Sequence, residues 1–435
     1  MSLTSLMQSL QNCPCGRTHT TRLRAVKIEE GCLQNAARFL SENGFTQHIL
    51  VVTEQCALDA ANGILDVLQY GGFAIDLYIY ETPCTANEHA VERICAACRP
   101  VDGILSIGTG TVSDVCRRAA LIEDKDFAIF ATAPSMDGFA SDTAPILQNG
   151  FKISLPARQP SVIIADTSIL AAAPAVLKSA GYGDMLGKYI ALAEWRIAHV
   201  LTGEYYCASV AELVRSALRD VVALTDHIAE NDPQTAGVLM RSLVTTGLAM
   251  QLCGFSRPAG GAEHLVSHFW ETRQLERGER TDCHGRKVGV ASCLIARLYH
   301  AVIRQADPAR FCADATDWAR VFDVYGETFA PAVRDCCFPS VLEDVTPVRL
   351  RAHWNEICQI VCEEIPMPDD LDDLLRRADG ARTPDDVGVT EALALQGLEF
   401  HPYMRRRIVL SRLLPMLGMT IDYRAALHKE HQTHS

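Results

Sequence analysis

The sequence predicts an α/β amino-terminal domain on a parallel sheet, residues 1–166, followed by an all-α domain, residues 167–435. Three observations carry that expectation. Short β-branched runs alternate with helical stretches between about Arg22 and Asp166, and such alternation implies a parallel sheet covered on both faces. After about Thr167 the strand-like runs stop. At 435 residues the chain also exceeds the size at which a single core usually divides.

The runs HILVVTE (48–54), AIDLYIYE (74–81), GILSIG (103–108), FAIFAT (127–132) and SVIIAD (161–166) read as buried strands. Between them, LDAANGILDVLQYG, ANEHAVERICAACR and SDVCRRAALIE carry apolar residues at helical spacing. A sheet of this kind takes its ligands at the carboxyl ends of the strands. Beyond Thr167 come long amphipathic runs: GKYIALAEWRIAHVL, VAELVRSALRDVVALTDHIA, AGVLMRSLVTTGLAMQLCG and GRKVGVASCLIARLYHAVIRQ. The acidic, proline-containing segments 363–373 and 379–386 are expected to connect helices.

Apolar residues make up 48% and charged residues 21% of the chain, as in an ordinary soluble protein. A net charge of −13 argues against non-specific nucleic-acid binding, which needs a basic surface. It leaves room for an anionic small ligand, since local dipoles and a few cations govern a pocket. The opening MSLTSLMQSLQNCPCGRTH lacks the basic start and apolar core of a secretory signal, and no run of about 18 apolar residues follows, so no membrane span is expected. The seventeen cysteines are scattered, with Cys95, Cys98, Cys116, Cys253 and Cys293 inside apolar helical patterns, which fits reduced thiols in a cytoplasmic protein. The pair Cys95 and Cys98 reads as two thiols on one helical face rather than a redox couple. Cys13, Cys15 and His19 cluster ahead of the first strand; with no obvious fourth ligand nearby, a turn carrying thiols is the expectation over a zinc site.

The turn Gly108-Thr109-Gly110-Thr111-Val112 follows a strand and opens a helix. Glycines there let the backbone approach a diphosphate, and the helix amides attract its charge, as in a Rossmann-like nucleotide site; a bare turn is the equal alternative. Glu54 ends another strand, where it could accept hydrogen bonds from a ribose or lie solvated. Thr132 to Asp137 follow a further strand end. Lys152 is a surface lysine or an anion ligand, with the former favoured. Asp184 opens the apolar run MLGKYIALAEW, an unlikely place for a carboxylate that only packs. His264 and His268 are four apart and share a helical face, while His284 precedes another helical run. One carboxylate and two imidazoles would leave a divalent ion with an open position, the arrangement of a catalytic site.

The blocks TAPSMDGFAS, GFK, AGYGDMLGKY, TGEYYC, AEHLVSHFWE and HGRKVGV, in that order, resemble the sn-glycerol-1-phosphate dehydrogenases. These belong with the iron-containing alcohol dehydrogenases, glycerol dehydrogenases and dehydroquinate synthases, and the resemblance covers residues 13–419. It implies a dehydroquinate synthase-like fold and an NAD(H)- or NADP(H)-linked interconversion of dihydroxyacetone phosphate and sn-glycerol 1-phosphate. It implies Asp184, His264 and His284 as ligands of one divalent ion (zinc, nickel or iron), with His268 beside the substrate. Asp137 and Lys188 correspond to substrate contacts, Lys188 toward the phosphate. Gly108 to Val112, Thr132 to Ser135, and Ser141 correspond to nucleotide contacts. Glu54 corresponds to the ribose-binding acid, which favours NAD over NADP. A homo-oligomer serving phospholipid metabolism is expected. Three positions depart from the pattern: Gly260 for a common serine, Leu265 for a frequent histidine, and Arg286 for a glutamate. Alternatives are a related polyol or glycerol dehydrogenase, a dehydroquinate synthase-like lyase, and a non-catalytic binding protein.

Overall fold

Each run expected to be a strand forms one in the computed structural model, which describes residues 3–81, 83–148 and 150–427. The strands are β1 (Ala25–Glu29), β2 (His48–Glu54), β3 (Ala74–Tyr80), β4 (Gly103–Gly108), β5 (Asp126–Ala131), β6 (Thr143–Gln148), β7 (Phe151–Pro156) and β8 (Val162–Asp166). Six of them form a parallel sheet in the order β1-β8-β5-β4-β2-β3. Its inner strands are buried on both faces, which is why they read as unbroken apolar runs. From β2 the chain moves outward to β3, then crosses back to β4 on the other side of β2. The direction of winding therefore reverses between β2 and β4, where Thr53 lies in register with Ile107. Ligand crevices of open α/β sheets form at such reversals.

Two features were not expected from the sequence. β1 is an edge strand whose Lys27 and Glu29 pair with each other at 3.0 Å, so AVKIE lacks an apolar signature. β6 and β7 form a separate antiparallel pair. The stretch LDAANGILDVLQYG also folds as two helices, Gln55–Ala60 and Ile64–Tyr70, because Gly63 breaks it at φ +89°.

Among the described residues no strand follows Asp166. The amphipathic runs become the helices Lys188–Thr202, Ala208–Val222, Pro233–Cys253 and His284–Gln305. The segment 363–373 departs from the expected connector. Pro368 starts the helix Pro368–Arg377, with Asp369 and Asp370 in its first turn, where carboxylates favour the helix dipole. The chain divides into two compact units, neither continuous in sequence. The first comprises Met1–Met185, Cys207–Ser256 and Arg377–Asp379; the second comprises Leu186–Tyr206, Arg257–Arg376 and Gly380–Ser435. The sheet thus shares its unit with Ala208–Val222 and Pro233–Cys253. Pro233–Cys253 is long and apolar enough to cross a membrane, but 78% of its most apolar window is buried within the protein, as befits a core helix.

In the second unit Trp195, Trp270, Tyr299 and Tyr325 are buried, and so is His401. The neutral His401 ring donates from Nδ1 to the Gly397 carbonyl (2.8 Å) and accepts the Ser411 hydroxyl at Nε2 (2.7 Å). Burial pushes its pKa down to about 4 from an ordinary 6.5. Between those values the unfolded chain binds a proton that the folded one refuses, so stability falls as pH drops from 6.5 toward 4. The loss is on the order of 3 kcal/mol. Urea midpoints at pH 7 and pH 4.5 should therefore diverge in the wild type and converge in His401→Asn.

Candidate active site

At the winding reversal, β4 ends at Gly108 with φ +146°, and Thr109 turns the chain into the helix Gly110–Ile122. The helix amides at Gly110, Thr111 and Val112 begin an anion-binding terminus. A Cβ on Gly110 would lie 2.8 Å from Met136 Cε, so glycine lets the neighbouring loop close over the turn. That loop starts at Thr132, whose amide donates to the Gly108 carbonyl (3.1 Å), and continues through half-buried Ser135. Ser141 is buried, with its hydroxyl 3.0 Å from that of Thr143. Glu54 stands at the end of β2, and one of its carboxylate oxygens accepts the Cys84 amide at 2.6 Å.

One buried side chain that the sequence did not single out supports this loop. Arg117, in the RRAAL run of the helix Gly110–Ile122, donates to the carbonyls of Gly138, Ser141 (3.1 Å) and Phe139 (3.4 Å). Burial lowers its pKa, opposed by Asp114 at 3.6 Å. In the same unit, the Asp137 amide donates to Asp184 Oδ2 at 2.8 Å. Two glycines permit that approach. A Cβ on Gly181 would sit 2.0 Å from the Pro134 carbonyl oxygen, and one on Gly247 would sit 2.5 Å from that of Asp137. Asp184 is fully buried inside the helix Ala175–Leu186 rather than at a helix start, and Gly187 separates that helix from Lys188–Thr202.

In the second unit three half-buried histidines meet. His264 and His268 lie on the helix Ala262–Glu276, and His284 is the first residue of His284–Gln305. Their ring centroids are 6.2 Å (His264–His268), 5.2 Å (His264–His284) and 5.4 Å (His268–His284) apart. One turn beyond His268 and His284, buried Lys287 pairs with Glu271 at 3.3 Å and fastens the two helices together. His264 Nδ1 is 2.7 Å from Oε1 of the buried Glu263, which also accepts the Gly261 amide at 2.8 Å. That contact fixes the ring through Nδ1, a carboxylate–histidine arrangement common at metal sites. The imidazole set suits a borderline divalent ion. Glu263→Gln keeps the acceptor and loses the charge, so metal affinity should fall about tenfold; Glu263→Ala should lose about a hundredfold. Competition against a fluorescent chelator measures both.

Glu194 braces the entry to the same helix by accepting the Ala262 amide at 2.9 Å and the Tyr299 hydroxyl. Burial, reinforced by the adjacent Glu263, pushes its pKa up to about 8. Arg407, whose pKa burial pushes down to about 10, donates to the Gly260 carbonyl at 2.6 Å. The departure at Gly260 has a local consequence, for a Cβ there would stand 3.1 Å from His264 Cγ. Arg286 spans Asp282 (3.0 Å) and the Asp386 carbonyl (2.9 Å), a structural tie, and Leu265 is core. Lys188 is fully buried at the first position of its helix, against both burial and the dipole. Lys152 is a half-buried residue of β7. Cys95 and Cys98 are buried thiols whose pKa values burial raises, Cys98 to about 11, which marks them as inert.

A family model described as iron-containing alcohol dehydrogenase matches residues 27–174. A Halalkalibacterium halodurans protein named glycerol-1-phosphate dehydrogenase, NAD(P)+, is 29% identical over 404 residues, spanning 92% of this chain and 94% of that one. The Bacillus subtilis protein of the same name is 35% identical over 267 residues, spanning 60% and 67%. Among solved structures, NADH-dependent butanol dehydrogenase A of Thermotoga maritima aligns with a TM-score of 0.59 at 15% identity, over 94% of this chain and 96% of that one. That likeness speaks for the fold: a parallel-sheet domain followed by helices, as in the iron-containing alcohol dehydrogenases. On the identity and coverage of these relatives, the chain belongs to the glycerol-1-phosphate dehydrogenase family.

Proposed function

We propose that the protein is a metal-dependent, NAD(P)-linked oxidoreductase that interconverts dihydroxyacetone phosphate and sn-glycerol 1-phosphate. The observation that carries this reading is the group of three imidazoles, one of them oriented by a buried carboxylate, in a chain of this family. Functionally we divide the chain at residue 166, with the nucleotide held before it and the ion and substrate after it. Asp184, His264 and His284 are the proposed ligands, a donor set that suits zinc, nickel or iron and leaves a position open. When bound, the ion supplies Lewis acidity at the substrate oxygen, and the nicotinamide gives or takes the hydride.

The chain's own groups do the rest. The amides of Gly108 to Val112 hold the diphosphate, and Thr132, Ser135 and Ser141 orient the nucleotide. Glu54 accepts the ribose hydroxyls and disfavours a 2′-phosphate, so NAD is preferred over NADP. Lys188 attracts the substrate phosphate, Asp137 orients its hydroxyl groups, and His268 carries the proton to or from the substrate oxygen. A cytoplasmic setting is part of the proposal, on the scattered distribution of the seventeen cysteines. A homo-oligomer and a role in phospholipid metabolism complete the proposal.

The test is NADH oxidation by metal-stripped protein given dihydroxyacetone phosphate, with Zn²⁺, Ni²⁺ or Fe²⁺ restored singly and product handedness read by stereospecific enzymes. Metal-dependent formation of the sn-1 product is expected. Turnover only with an unphosphorylated ketone would make it a polyol dehydrogenase, and none with either, while NAD still binds, would overturn the assignment.

A further inference from the structure

We propose that Cys13, Cys15, His19 and Cys207 bind a zinc ion that ties the amino-terminal segment to the helical part of the first unit. None of the four is assigned above to nucleotide, substrate or catalytic ion. One ligand atom from each lies within 4.8 Å of all the others. Cys13 Sγ and Cys207 Sγ are 3.5 Å apart, Cys15 Sγ is 3.3 Å from His19 Nε2, and Cys207 Sγ is 3.7 Å from that nitrogen. Ligands of a tetrahedral zinc, with bonds of roughly 2.3 Å to sulfur and 2.0 Å to nitrogen, stand about 3.5–3.8 Å from one another. Three of the six distances fall at or close to that spacing, and the other three are within 4.8 Å.

The local chain accounts for the arrangement. Gly16, at φ +77°, donates its amide to the Cys13 carbonyl (3.1 Å), and this turn brings Cys13, Cys15 and His19 to one side. His19 Nδ1 is 2.8 Å from the Leu252 carbonyl, in the last turn of Pro233–Cys253. The proton is thereby held on Nδ1, and Nε2 faces the thiols, as it must in a ligand. Cys207 is the residue immediately before Ala208–Val222, and the Ser209 hydroxyl lies 3.4 Å from Cys13 Sγ, where it can donate to a thiolate. Cys13, His19 and Cys207 are buried. Four protein ligands leave no open position, so the ion is structural rather than catalytic. The sequence offered only three ligands because the fourth is 194 residues from Cys13. A disulfide between Cys13 and Cys207 would need the sulfurs about 2.05 Å apart and would give Cys15 and His19 no role.

Cobalt tests the site, because the ligands proposed for the catalytic ion include no sulfur. The full-length protein, stripped by chelation and reloaded with Co²⁺, should show a thiolate-to-cobalt charge-transfer band in the near ultraviolet. The band should lose intensity in Cys15→Ser and in Cys207→Ser, vanish when Cys13, Cys15 and Cys207 are all replaced by serine, and persist at full strength in His264→Ala, which separates this site from the catalytic one. Should the serine variants not fold, zinc-edge X-ray absorption on the wild type as purified keeps the question open to refutation, with a sulfur shell near 2.3 Å expected. A natively folded, cobalt-loaded wild type without the band would overturn the assignment, as would a band of undiminished intensity in Cys207→Ser, or a Cys13–Cys207 disulfide in protein purified without oxygen.

Discussion

Asp184→Asn should lower kcat/KM by about a thousandfold while the protein keeps its fold and its nucleotide. The carboxylate accepts the Asp137 amide at 2.8 Å, and an asparagine oxygen of the same size can accept that bond too. What the substitution removes is the carboxylate charge at a fully buried position, and with it one of the ligands proposed for the ion. Lewis-acid stabilisation is worth several kcal/mol, and each 1.4 kcal/mol is about tenfold, so a loss of about 4 kcal/mol gives the stated factor. Metal content should fall in parallel, whereas NADH fluorescence titration should be nearly unchanged. Asp184→Ala adds a different defect: the Asp137 amide loses its partner, at a cost of about 1–3 kcal/mol of stability. Undiminished turnover in the folded Asn variant would remove Asp184 from the reaction.

How far the sequence could be read depended on where each residue's partners lie. β2, β4, β5 and β8 are legible because burial on both faces demands unbroken apolar runs. β1, at the sheet edge, mixes Lys27 and Glu29 with its apolar residues and gives no such signal. The pair His264 and His268 is legible because a helix places residues four apart on one face. The orienting acid Glu263 is not, since adjacent helical residues do not normally face each other; here it also bonds back to the Gly261 amide at the helix start, and so reaches the His264 ring. Cys207 lies 188 positions from His19 in the chain, and only the tertiary fold creates their contact.

Arg117 is the extreme case of a residue disguised by its neighbours. In RRAAL it looks like a solvated arginine, yet it is fully buried while Arg118 is not. Its guanidinium joins the helix that follows the Gly108 turn to three carbonyls of the loop between Asp137 and Thr143. Arg117→Met fills much the same volume but leaves the carbonyls of Gly138, Phe139 and Ser141 without that donor. Each buried carbonyl so stranded costs about 1–3 kcal/mol, so a total near 3–5 kcal/mol is expected after relaxation. Thermal melts should show the loss, and KM for NADH should rise more than kcat falls, because Ser141, proposed to orient the nucleotide, loses its fixed position while the imidazole cluster keeps its own contacts. Arg117→Lys retains the charge but lacks the planar fork, so it should recover only part of the stability. A Met variant that melts with the wild type would show that the loop carbonyls find other donors, and the support of that loop would then rest on the Thr132–Gly108 contact instead.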